Sequence, residues 1–112
     1  MNITSKLRNT RGGRTVETEE KYLTEKQIIY ETAIATFGSE KQIIMLFEEM
    51  SELQKELCKH FRGKTREDWI SEEIADVEII LEQIKLIFNI ENEVQEMKEF
   101  KIDRLRETLE NA

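Results

Sequence analysis

The segment Glu72-Glu73-Ile74-Ala75-Asp76-Val77-Glu78-Ile79-Ile80-Leu81 puts a carboxylate where a helix would be most apolar. At about 100° per residue, Ile70, Ile74, Val77, Leu81 and Ile84 share one stripe, and Glu73 falls inside it with Asp76 one turn on. A buried, unpaired carboxylate is costly or takes up a proton, so Glu73 requires a partner. A second acidic set precedes it: Glu48-Glu49-Met50-Ser51-Glu52, then Glu56. Glu49, Glu52 and Glu56 stand at i, i+3 and i+7, on one helical face. Like charges so spaced repel unless a cation screens them, although acidic rows on exposed helices are common. If the two segments are antiparallel neighbours, Glu49, Glu52, Glu73 and Asp76 converge. Four carboxylates cannot all stay ionised there without a cation between them. Oxygen-only ligands select a hard ion, Mg²⁺ first and Mn²⁺ second.

Other chemistries find less support. A di-iron centre of the bundle type needs Glu-x-x-His pairs, and the single histidine, His60, lies four residues after Glu56 rather than three. His60 and Cys58 lack the second pair that a zinc site requires and read as ordinary end-of-helix residues. Gly12-Gly13-Arg14-Thr15 has neither the spacing nor the lysine of a phosphate-binding glycine loop.

The two acidic motifs, Glu48-Glu49-Met50-Ser51-Glu52 and, twenty residues on, Glu73-Ile74-Ala75-Asp76, resemble the signature of the MazG-like all-α nucleoside triphosphate pyrophosphohydrolases. The resemblance covers about residues 25 to 109. It implies hydrolysis of a nucleoside triphosphate between the α and β phosphates, giving monophosphate and pyrophosphate. It implies metal ligation by Glu49, Glu52, Glu73 and Asp76, participation of Glu48, and a dimer or tetramer with active sites near subunit contacts. A triphosphate cannot enter an acid-lined pocket without bridging metal. Metal-bound water would attack the α-phosphorus in line, with Glu48 or Glu56 accepting its proton. In that family a basic stretch near the last helix contacts pyrophosphate, and Lys98, Lys101 and Arg104 at i, i+3 and i+6 match it here, with Lys64 and Arg66 as lesser candidates. A solvated helix with Glu–Lys pairing is the bland alternative for that stretch. Trp69, Phe37 and Tyr30 are available to stack on a base, although aromatic residues at helix ends more often pack. Nucleobase preference stays open.

Charge and composition agree with a helical body. The chain has 112 residues, 37% of them charged, no proline and a net charge of −7. The length suits one domain, and the Glu, Lys, Ile and Leu content favours helix. Residues 1 to 16 carry Lys6, Arg8, Arg11 and Arg14 without an acid; taking those four charges from −7 leaves −11 on the remainder. So acidic a body argues against nucleic-acid binding, and the arm is too short and too poor in aromatics to supply it. No apolar run reaches the ~20 residues that span a bilayer, and no signal-peptide core is seen. A lone cysteine suits a reducing compartment. The expectation is a cytoplasmic protein.

The elements that position the acids follow from caps and periodicity. Residues 1–20 read as a flexible basic arm and 21–112 as the all-α domain. Thr24…Gln27 and Ser39…Gln42 each match a capping box. Helices are expected over about 25–37, 40–60, 66–88 and 91–109, with Gly38 ending the first and Thr65 capping the third. Their expected inner faces hold Ile29, Ala33 and Phe37; Ile43, Phe47, Met50, Leu53 and Leu57; the Ile70–Ile84 stripe; and Val94, Met97, Ile102, Leu105 and Leu109. The third helix carries a further apolar strip at Ala75, Ile79 and Leu86, so it is central or meets another subunit. The predicted fold is an all-α, four-helix bundle-like protomer that assembles as a homo-oligomer. The rival function is a non-catalytic helical interaction module whose acidic face binds a basic partner. Glu73 discriminates, because a partner-binding face would keep its acids outside.

Overall fold

A computed structural model describes residues 24–112. The expected basic arm lies outside the described residues. Four α-helices make up the described chain: α1 Glu25–Phe37, α2 Ser39–Phe61, α3 Glu67–Phe88 and α4 Glu91–Glu110. No strand occurs among the described residues, so the described fold is all-α. None of its helices is long and apolar enough to cross a membrane.

The α1 start is the predicted capping box, with the Thr24 hydroxyl accepting from the Gln27 backbone N–H at 3.1 Å and the Gln27 side chain accepting from Thr24 N–H at 3.0 Å. Gly38, at φ 93°, closes α1 and opens α2 within one residue, a conformation that side chains rarely adopt. Two other expected caps are absent. α2 begins at Ser39 without a side-chain cap, because the Gln42 amide reaches Gln83 on α3 instead. α3 is capped by neither Thr65 nor Arg66; Thr65 gives its hydroxyl hydrogen to Glu56 of α2. In both places a polar side chain predicted to serve its own helix instead makes a nonlocal bond, Gln42 tying α2 to α3 and Thr65 tying the loop before α3 to α2. Asn89 ends α3 in the left-handed conformation, φ 54°, while the following Ile90 N–H bonds back to Lys85 at 3.0 Å, a Schellman-type stop.

α2 and α3 form the most extensive helix pair, α1 packs on both, and α4 approaches α3 alone among the described helices. The core is small. Ile28, Tyr30 and Ile80 are its buried apolar residues, and Gln42, Glu56 and Gln83 are buried beside them. The radius of gyration is 18.3 Å, against roughly 13 Å for a compact domain of this length. Many of the expected core positions are therefore open: Ile29, Phe37, Met50, Leu57, Ile74, Ile79 and Leu81 are exposed, Phe47 is 63% exposed, and α4 buries no residue at all. The reason is geometric. Each amphipathic face needs an opposing surface, and with α4 splayed from α1 and α2 a single chain supplies too few.

Candidate metal centre

The α2–α3 pair is what gathers the acids. Running antiparallel, the helices bring Glu49 from α2 against Glu73 and Asp76, one turn apart on α3. One carboxylate oxygen from each of the three lies within 4.8 Å of the others, and all three residues are half-buried. Among the described residues no lysine or arginine forms an ion pair with any of them. The electrostatic consequence is a shared appetite for positive charge. Burial first, then the charges of Asp76, Glu73, Glu52 and Glu48, raise the Glu49 carboxyl above the ordinary glutamate range. Burial, then Asp76, Glu52, Glu72 and Glu56, raise Glu73 likewise.

The remaining predicted acids sit around this triad in distinct roles. Glu52 is exposed, 3.9 Å from Lys55 Nζ, yet its charge reaches both Glu49 and Glu73. Glu48 is exposed and shares a shallow depression with Phe47, Glu49, Ser51 and Glu52. Glu56 is buried and engaged twice, accepting the Thr65 hydroxyl hydrogen at 2.7 Å and the Lys59 ammonium at 3.4 Å. That leaves Glu48 the better placed of the two candidate proton acceptors.

The basic candidates lie elsewhere on the protomer. Lys98 lines a cleft between α3 and α4 with Glu78, Glu82 and Lys85, and none of the triad lines that cleft. Lys101 and Arg104 are exposed further along α4, with the Arg104 guanidinium 6.0 Å from the centre of the Phe100 ring. Arg66 makes two hydrogen bonds to Asp68, at 3.0 and 3.1 Å, and lies over Trp69; Lys64 is exposed in the same loop. Tyr30 is buried and bonded to Glu82, whereas Trp69 and Phe37 remain exposed.

Two interactions that tie α3 to its neighbours, one buried and one part-buried, do not follow from the motifs. Gln42 Nε2 donates to Gln83 Oε1 at 2.7 Å within the α2–α3 seam. Tyr30 donates its hydroxyl hydrogen to Glu82 at 2.5 Å, joining α1 to α3. A signal for the first exists in the spacing: Gln42, Glu49 and Glu56 recur every seven residues on α2, as do Asp76 and Gln83 on α3. Position-by-position burial statistics conceal it, because glutamine and glutamate are ordinarily surface residues.

No family model, curated relative or solved structure matches the chain.

Proposed function

We propose that this protein is a Mg²⁺-dependent nucleotide pyrophosphohydrolase that cleaves ribo- or deoxyribonucleoside triphosphates between the α and β phosphates. The observation that carries the reading is the convergence of Glu49, Glu73 and Asp76 from two helices, half-buried and with no ion pair to a lysine or arginine among the described residues. An acidic row that served only solubility would face outward, each carboxylate hydrated. Here burial and mutual repulsion push two carboxyls up, and a hard divalent cation relieves both effects at once.

The donor set fits the ion. All donors are carboxylate oxygens, which favours Mg²⁺ or Mn²⁺ over zinc and copper. Glu49, Glu73 and Asp76 would hold it, with Glu52 one turn along α2 as a further ligand. When bound, the ion supplies neutralisation of phosphate oxygens and acidification of water. Glu48, exposed at the rim, accepts the proton of the attacking water. Lys98, Lys101 and Arg104 bind the pyrophosphate end if a second copy of the chain brings its α4 to the acidic face. The exposed apolar residues of α2, α3 and α4 support that homo-oligomer, since a lone chain leaves them in water. The same exposed faces support the rival interaction module.

Product analysis decides between them. Purified protein is incubated with Mg²⁺ and a panel of natural and modified triphosphates, and nucleotides are resolved beside a pyrophosphate assay. Monophosphate with equimolar pyrophosphate is expected. Diphosphate with phosphate would mark another hydrolase, and a folded, Mg²⁺-binding protein inert across the panel would favour the interaction module.

A further inference from the structure

Gln42 and Gln83 are among the least accessible residues of the described chain, at 3% and 4% exposure. Their amides meet at 2.7 Å across the α2–α3 seam, and Gln42 Oε1 has no hydrogen-bond partner. As a stabilising device the pair is poor. Two amides are dehydrated for one hydrogen bond, an acceptor is left unmatched, and two apolar side chains of similar size would fill the space without that penalty. Its value must lie in what it forbids.

What it can forbid follows from α3. That helix has two apolar strips, one through Ile70, Ile74, Val77, Leu81 and Ile84 and another through Ala75, Ile79 and Leu86. Neither strip as such is the buried face: Ile74, Leu81 and Ile79 are exposed, and the buried apolar residue of α3 is Ile80, which belongs to neither. The short loop of residues 62–66 makes the helices antiparallel neighbours, but it does not set the rotation of α3 about its axis. Gln83 does. It stands seven residues from Asp76, two helical turns along the same face, just as Gln42 stands seven from Glu49. The rotation that pairs the two amides also turns Asp76, with Glu73 one turn behind, toward Glu49. Rotating α3 by one residue, about 100°, would carry Gln83 away and leave the Gln42 amide buried with no partner. Stranding a buried amide disfavours such a state by roughly ten- to a hundred-fold.

We propose that Gln42 and Gln83 are positioning residues whose buried amide pair selects the rotational setting of α3 that places Glu73 and Asp76 against Glu49. For its consequence in catalysis this rests on the metal-centre reading; for the helix setting itself it does not.

The test uses the full chain carrying Gln42→Met/Gln83→Met, a swap of nearly equal volume, with Gln42→Leu/Gln83→Leu as a second variant should the first not fold. Two measurements are made on each. Mn²⁺ binding is followed by titration calorimetry. The separation of the two acidic segments is followed by dipolar broadening between nitroxides attached through Glu49→Cys/Asp76→Cys in a Cys58→Ser background, diluted with unlabelled chain. The expected result is unchanged helix content, a melting temperature equal to or above the parent's, Mn²⁺ affinity reduced at least tenfold, and weakened broadening. Unchanged broadening in the apolar variant overturns the proposal, whatever the Mn²⁺ affinity. So does weaker melting with parental Mn²⁺ affinity, the pattern of a pair that only adds stability. If the parent chain itself binds no Mn²⁺, the metal reading fails, and the broadening alone decides the helix setting.

Discussion

Glu49 on α2 and Asp76 on α3 face each other across a half-buried seam with Glu73 completing the group, their nearest oxygens within 4.8 Å. Three negative charges so placed repel one another, at a cost that a proton or a cation between them would relieve. On the proposed reading the metal-free seam would store repulsion, and a bound cation would turn it into a clamp.

Substitutions at Glu73 separate these two states. Glu73→Gln keeps the shape but removes a ligand charge, and turnover is expected to fall below detection in the triphosphate assay. Glu73→Leu should also be inactive, yet it places an apolar group on the α3 stripe and deletes a repelling charge. Its metal-free melting temperature is therefore expected to rise by a few degrees, without the upward shift that Mg²⁺ is expected to give the parent. A leucine variant that unfolds, or a glutamine variant with full activity, would remove the metal centre from consideration.

The raised carboxyls set a pH dependence with a definite sign. Because the folded chain binds protons at Glu49 and Glu73 more tightly than the unfolded chain, their contribution is fully present below the ordinary glutamate value of 4.5. It is lost as pH rises through the raised folded values. In a chelator, thermal stability should thus increase as pH falls from neutrality toward 5, and Glu49→Gln/Glu73→Gln should flatten that slope. With Mg²⁺ present the trend reverses, since protons compete with the ion for the same oxygens. Melting curves across pH, with and without Mg²⁺, read both slopes.

The helices were legible in the sequence because their signals are local. The Thr24…Gln27 box and Gly38 act within a turn of the positions they bound, and the expected helix limits match the observed ones to within a residue. The core was much less legible. Periodicity identifies an apolar face but not what covers it, so Phe47 and Leu105, each in good register, stand open on the single chain. The acidic triad was legible because Glu73 conflicts with its own stripe, and a conflict between local pattern and residue type is where function concentrates. Gln42 and Thr65 misled for the opposite reason. Each matched a local cap, and a nonlocal partner on the neighbouring helix outcompeted it.

Tyr30 offers a stability test remote from the acids. Its hydroxyl hydrogen goes to Glu82, and burial, reinforced by that carboxylate, pushes the phenol up to about 12. A folded value above the ordinary 10 means the contribution is complete below pH 10 and disappears as pH rises through about 12. Tyr30→Phe should cost about 1 kcal/mol, since Glu82 is only partly withdrawn from water, and should loosen α1 before the α2–α3 pair. In a Tyr22→Phe background, ultraviolet titration of the remaining phenol reads its ionisation directly, and denaturant unfolding reads the stability loss.

The open apolar faces carry the last prediction. Met97, Ile102, Leu105 and Leu109 recur along α4, and all are exposed, Leu105 at 57%. α3 approaches only the beginning of that helix, where Val94 is half-buried and Lys98 lines the cleft between the two. Contiguous apolar surface of this kind on a small chain is ordinarily covered by another protein surface, and a second copy would bury like faces together by an isologous contact. Light scattering is expected to give a whole multiple of the chain mass. Leu105→Glu would set like charges against each other across that contact, shifting the species to monomer while leaving the Glu49–Glu73–Asp76 group untouched within each chain. Mn²⁺ binding should then survive in the monomer, whereas triphosphate turnover should collapse if Lys98, Lys101 and Arg104 act from the neighbouring copy. Full turnover by a monomeric Leu105→Glu chain would show that each protomer completes its own site, and those three cations would lose their assigned role.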